Sequence, residues 1–189
     1  MGPLLLDTSP SVCHSASSAL CSLVSAGGDE IIQQAIEQDV LTPLIALLHR
    51  VPAQWKPKQE VVNNIDTSTA TFIETVRTLT VLSESSSATV DRLHQEDVVS
   101  MLIRFLDFGT YGTDLVITVA RFLSIVTEDQ GDTDYGKQLK TTVIQQLLEA
   151  EHSSLLLKSL AIAILLNLNH QCYNSGNKKF SINFSALLT

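Results

Sequence analysis

Aromatic residues make up only 5% of this 189-residue chain: one Trp, three Tyr and six Phe. That scarcity, beside many Leu, Val, Ile, Ala and Ser, favours helices packed through aliphatic side chains over a sheet sandwich. Cysteine is also sparse. Cys13, Cys21 and Cys172 form no CxxC pair and leave an odd count, which favours buried thiols in a reducing, intracellular compartment over a disulfide framework. Basic residues are outnumbered, 12 Lys and Arg against 20 Asp and Glu, for a net charge of −8 and a pI near 4.9. A surface so short of cations is poorly suited to nucleic acid or an anionic membrane, and a basic partner is its natural complement. Long apolar runs are missing too. The longest, Leu155 to Leu168, includes Lys158 and falls short of the roughly 20 residues that span a bilayer. The opening MGPLLLD has no basic segment of a secretory signal, and the sequon at Asn183-Phe184-Ser185 stands without other signs of secretion. At 44% hydrophobic and 17% charged, the chain is globular, with room for one domain.

Catalytic chemistry is equally hard to find. His14, His49, His94, His152 and His170 are scattered, and Cys13-His14 is a neighbouring pair whose side chains leave a helix in different directions. A buried thiol beside a partly exposed imidazole explains that pair better than a metal site does. Gly109-Thr110-Tyr111-Gly112 lacks the GK[ST] of a phosphate-binding loop and reads as a joint between repeats. The acidic pairs Asp29-Glu30, Glu96-Asp97 and Glu128-Asp129 fall at helix starts and turns, where carboxylates suit the helix dipole. No catalytic, cofactor-binding or metal-binding residues are assigned, and the chain is expected not to be an enzyme.

What is present is a repeat. In Ser9–Leu48 the Ser-Pro start predicts an N-cap at Ser9, with Pro10 at the first helical position. Val12, Ala16, Ala19, Leu20 and Leu23 follow at helical spacing as an apolar stripe, and Gly27-Gly28 ends that helix. Asp29 is expected to cap a second helix bearing Ile31, Ile32, Ala35 and Ile36, and Asp39 to precede a third over Val40–Leu48. GPLLLD before it reads as the end of a helix whose start is missing. The pattern stops at 49–65, where two prolines, Trp55 and two lysines predict a long loop. Trp55 is expected to tuck onto the repeats, with partner binding as the alternative.

The pattern then resumes in register. Leu20, Leu79, Phe122 and Leu165 form one column, and Leu23, Leu82, Ile125 and Leu168 another, with intervals of 59, 43 and 43 residues. The longer interval matches the loop insertion. Leu48, Leu106 and Leu148 form a third column, at intervals of 58 and 42. Such a period belongs to armadillo and HEAT arrays. The expected fold is an all-α armadillo/HEAT-type α-solenoid, a right-handed superhelix of about three repeats plus partial ones. Its divisions are a repeat remnant at 1–8, repeats at 9–48, 66–108 and 109–152 with a loop at 49–65, a partial repeat at 153–171 and a divergent tail at 172–189. Ser85-Ser86-Ser87 and residues 128–132 fill the turn that Gly27-Gly28 occupies in the first repeat. Both ends read as truncated.

From GPLLLD through LTPLIALL, in VTED at Val126–Asp129 and in SLLLKSLAIAILLNL at Ser154–Leu168, the chain resembles the N-terminal armadillo part of the symportin family, also called HEAT repeat-containing protein three. GPLLLD before the repeat and LVITVARFLSIVTED are the family-like parts, and the resemblance runs over about Gly2 to Asn169. It implies a chaperone and import adaptor that escorts the large-subunit ribosomal proteins binding 5S RNA from cytoplasm to nucleus for ribosome biogenesis. Such a protein needs no cofactor. The family's basic N-terminal segment, acidic loop and later HEAT repeats have no match here, so import-receptor binding is not carried over. Armadillo import receptors clamp peptides with an Asn ladder, and the matching column here reads Ser22, Val81, Ser124 and Asn167. Candidate partner contacts on that helix face are Ser22, Ser25, Glu74, Arg77, Glu84, Ser124, Glu128 and Asn167. The alternative readings are a generic armadillo scaffold for another peptide or helix, or a non-functional fragment.

Overall fold

The computed structural model of the protein describes residues 2–53, 67–128, 133–149 and 154–168, and every regular element among them is helical. The first group is α1 (Gly2–Leu5), α2 (Pro10–Ala26), α3 (Gly28–Glu37) and α4 (Leu41–Ala53). The second is α5 (Thr67–Ser85), α6 (Ser87–Gln95), α7 (Val98–Ile103) with a 3-10 turn at Arg104–Leu106, and the single-turn α8 (Phe108–Tyr111). The third is α9 (Thr113–Val126), α10 (Asp134–Val143) with a π turn at Ile144–Leu148, and α11 (Leu155–Leu168). Trp55 with the rest of 54–65, residues 129–132, Ser153 and the tail at 172–189 lie outside the described residues.

The architecture is an all-α solenoid. The long helices α2, α5, α9 and α11 stack side by side in one layer, each on the next, and the shorter helices pack behind them, α4 on α5, α7 on α9 and the π turn on α11. Leu20, Leu79 and Phe122 of the first sequence column are buried between the layers, as are Leu48 and Leu106 of the third. In the third repeat it is Leu147, not Leu148, that is fully buried. The π turn is closed by the Glu149 N–H donating to the Ile144 carbonyl at 3.0 Å, an i→i+5 bond in place of i→i+4, and this changes which residue of the turn faces the core.

Position in the stack decides burial more than sequence pattern does. The central α5 is enclosed by α2, α4 and α9, so beyond its first turn it meets solvent only along Glu74, Arg77, Val81, Glu84 and Ser85. At the edge of the layer, α2 has a long neighbour on one side only. Its buried line is Cys13, Ala16, Ser17, Leu20, Cys21 and Val24, while Ala19 and Leu23 of the expected apolar stripe are exposed, Leu23 at 46%.

Local starts and stops also differ in detail from the sequence expectation. Ser9 occupies the N-cap position, but its hydroxyl lies 2.9 Å from that of Ser11 and makes no capping bond. Asp7 Oδ1 instead accepts from the Ser9 N–H at 2.8 Å, anchoring the chain just before the helix. Gly27 lets α2 turn directly into α3, because a Cβ there would meet Leu23 O and Ile31 at 2.6 Å, and Gly28 follows at φ +67. With no room for a separate cap, Asp29 falls inside the first turn of α3, where it and Glu30 still face the positive end of the dipole. Asp39 and Asp97, at matching turns of two repeats, both adopt left-handed backbone with φ of 49 and 54. Helix α4 runs to Ala53, past the expected end at Leu48 and into the stretch read as loop. Its Arg50 guanidinium donates to the Leu6 carbonyl at 3.0 Å and to Cys13 Sγ at 2.8 Å, a tie back to the chain start that prolongs the helix. The GTYG joint is itself helical as α8, capped by Asp107 Oδ1, which accepts from the Gly109 and Thr110 N–H groups.

Ser17 gives one testable consequence of this packing. It is fully buried in α2 and its hydroxyl has no hydrogen-bond partner. Ser17→Ala removes a desolvated polar group and adds helix propensity, so it is expected to stabilise the fold by about 1 kcal/mol. A urea midpoint that falls in this variant would contradict the packing around α2.

Candidate partner-binding face

The outer surface of the long-helix layer is where a solenoid presents a continuous strip to a partner, and side chains join it across each helix boundary. Between α2 and α5, the buried Cys21 thiol faces the Glu74 carboxylate. Burial and then Glu74 push the Cys21 thiol above its ordinary range, while the hydroxyls of Thr78 and Ser25 pull the other way. Cys21 is therefore a packed, protonated thiol at neutral pH rather than a nucleophile. Between α5 and α9, Arg121 Nη2 lies 3.9 Å from Glu84 Oε1. Between α9 and α11, Asn167 Nδ2 donates to the Ser124 carbonyl oxygen, in a bond spanning 43 residues.

The eight sequence-predicted residues take different positions on this strip. Glu74, Arg77 and Glu84 lie along the solvent line of α5, at i, i+3 and i+10, with Arg77 Nη1 3.2 Å from Glu74 Oε1. Ser22 and Ser25 are exposed on α2, and Ser124 is half-buried on α9 with its hydroxyl donating to the Arg121 carbonyl at 2.7 Å. Glu128 is exposed one residue beyond the end cap of α9. Asn167, which keeps the amide of a peptide-clamping ladder, spends one of its N–H donors on the neighbouring helix.

Arg121 was missed by the sequence columns. Its equivalents one repeat away on either side, Thr78 and Ile164, are both buried, which hides its role. The long stem carries the guanidinium out of the layer, so that its side chain is 67% exposed.

Other clusters are structural. Asp39 accepts from Arg92 Nη1 at 2.6 Å and from the Thr42 hydroxyl at 2.6 Å, and the Thr42 hydroxyl and then Arg92 hold its carboxyl below the ordinary range. His94 bridges repeats: its Nε2 lies 2.7 Å from the Val126 carbonyl and its Nδ1 3.0 Å from the Tyr135 hydroxyl. The carbonyl can only accept, so Nε2 carries a hydrogen and, in the neutral ring, Nδ1 accepts from Tyr135. A cavity of about 240 Å³ near the chain start is lined by Thr8, Cys13, Arg50 and Thr71, among others. It brings together no nucleophile–base pair. Among the described residues no group of His, Cys, Asp and Glu has the arrangement of a metal site, and no helix is long and apolar enough to cross a membrane.

Comparison with known proteins identifies relatives of this chain. The chain is 32% identical over 179 residues to the HEAT repeat-containing protein 3 of Homo sapiens, a match covering 89% of this chain and 26% of that protein. It is related to HEAT-repeat proteins. The Mus musculus protein of the same name is 30% identical over 133 residues, covering 68% of this chain and 20% of its own length. The chain thus spans about a quarter of the length of the curated relatives it matches. No family model matches it.

Proposed function

We propose that this HEAT-related solenoid is a protein-binding adaptor that receives a basic segment of a partner on its long-helix face. The observation that carries the reading is the solvent line of α5, where the central helix of the stack exposes two carboxylates, Glu74 and Glu84, within a chain of net charge −8. Glu128, exposed just past the end cap of α9, adds a third carboxylate. By its resemblance to symportins, the partner is a large-subunit ribosomal protein that binds 5S RNA, and the compartments are the cytoplasm and nucleus. The role is that of a chaperone in ribosomal-protein import, shielding cationic surface before assembly.

Recombinant 5S-binding ribosomal proteins, presented to the immobilised chain at low salt, test this directly. Retention that weakens steeply with salt is expected, because screening shortens the reach of exposed charges to about 10 Å at 0.1 M. A combined Glu84→Lys and Glu128→Lys variant is expected to lose at least about tenfold in affinity, or 1.4 kcal/mol. Failure of the wild-type chain to retain any of these proteins at low salt overturns the reading. Salt-independent capture of an apolar helix would instead support a generic scaffold.

A further inference from the structure

The charges of the proposed face are not free. Helix α2 contains no Lys, Arg, Asp or Glu, only the partly buried His14, and the solvent line of α5 beyond its first turn holds Glu74, Arg77 and Glu84. Helix α9 adds Asp114 in its first turn and Arg121 near its end, and Lys158 is exposed at the start of α11. Both arginines in the middle of the strip are within reach of its carboxylates: Arg77 sits 3.2 Å from Glu74, one turn away on the same helix, and Arg121 sits 3.9 Å from Glu84, across the α5–α9 boundary. Their side chains are 54% and 67% exposed.

Pairs so exposed add little to stability, since water and salt screen them and two long side chains lose freedom to hold them. The layer beneath is already held by buried apolar groups such as Leu79, Leu82 and Phe122. What the arginines do is occupy carboxylates. An incoming single cation exchanges one ion pair for another and gains little, whereas a segment carrying several cations can replace both internal arginines while its remaining charges reach Glu128, each contact raising the effective concentration of the next. Glu128 has no cation within ion-pair distance among the described residues and offers a first point of contact.

We infer that Arg77 and Arg121 are internal competitors for the partner's cations, which set a threshold on how many basic residues a segment must carry before the face accepts it. This rests on the proposed reading of the face as a basic-segment site, and it adds a specificity device to that reading. The device is reversible and costs no refolding, because only side-chain rotamers change.

The test compares two labelled 12-residue peptides, one with six arginines and one with two, by fluorescence anisotropy on the full chain. Wild type is expected to bind the first and discriminate strongly against the second. The Arg77→Gln, Arg121→Gln double variant is expected to bind the two-arginine peptide at least tenfold more tightly and the six-arginine peptide only about threefold more tightly, so discrimination falls. A Lys137→Gln, Lys140→Gln variant makes the same change in net charge on α10, behind the face, and is expected to shift either affinity less than twofold. If wild type binds the six-arginine peptide but the double variant changes neither affinity, or if the α10 variant matches it, the competitor role is wrong while the basic-segment reading stands. If neither wild type nor the double variant binds either peptide at low salt, the basic-segment reading itself fails. Circular dichroism and thermal melts of each variant, expected to match wild type, keep loss of folding from being read as loss of binding.

Discussion

Replacing Phe105 with Ala is expected to lower the unfolding free energy by about 3–5 kcal/mol, the cost of deleting a fully enclosed ring and leaving its cavity. Phe105 is 1% exposed in the 3-10 turn that continues α7. Its ring centroid lies 4.8 Å from that of Phe72 on α5 and 4.9 Å from that of Tyr111 on α8, both tilted. One side chain therefore ties the central long helix to the end of its own repeat and to the start of the next. Domain stabilities of about 5–15 kcal/mol make this about a fifth or more of the total. Because each unit of a solenoid is held chiefly by its neighbours, a weak second repeat should also split the unfolding transition. Urea denaturation followed by circular dichroism checks both effects. Phe105→Leu, which keeps most of the volume, should cost under about 1.5 kcal/mol. A Phe105→Ala loss below 1 kcal/mol would mean that the three rings do not form the joint described.

The buried columns were legible because they combine two periods, 3.6 residues around each helix and about 43 along the chain. Leu20, Leu79 and Phe122 satisfy both and are all in the core. The exposure of three of the candidate residues was legible where it is forced by enclosure: beyond the first turn of α5 the line left to solvent is the one on which Glu74, Arg77 and Glu84 fall. Arg121 was not legible, since its register equivalents are buried and only the length of its stem brings the charge out. Nor could the occupation of the Asn167 amide be read, because a hydrogen bond to Ser124 O depends on how closely α9 and α11 approach. Helix ends escaped for a similar reason. Ser9 and Asp29 are good caps by residue type, yet tertiary contacts at Asp7 and the close turn at Gly27 decide who bonds to what.

The same sequence column can give opposite outcomes, and a pair of aspartates makes this measurable. Leu23 and Leu82 stand one repeat apart and look alike in sequence, but Leu23 is 46% exposed on the edge helix α2, whereas Leu82 is 1% exposed on the enclosed α5. Leu82→Asp forces either a carboxylate or its protonated form among apolar neighbours. It also removes a fully buried leucine worth about 2–5 kcal/mol by itself. The expected result is a loss of more than about 4 kcal/mol, enough to leave the array partly unfolded at 25 °C. Leu23→Asp places the same group against water, where an ordinary surface substitution changes stability by about 0.5 kcal/mol or less. A negative charge in the last turn of α2 opposes the helix dipole, so the small change should be a loss. Thermal melts of the two variants side by side decide the matter. Equal destabilisation would mean that α2 is as enclosed as α5, and the description of α2 as the edge of the long-helix layer would have to be abandoned.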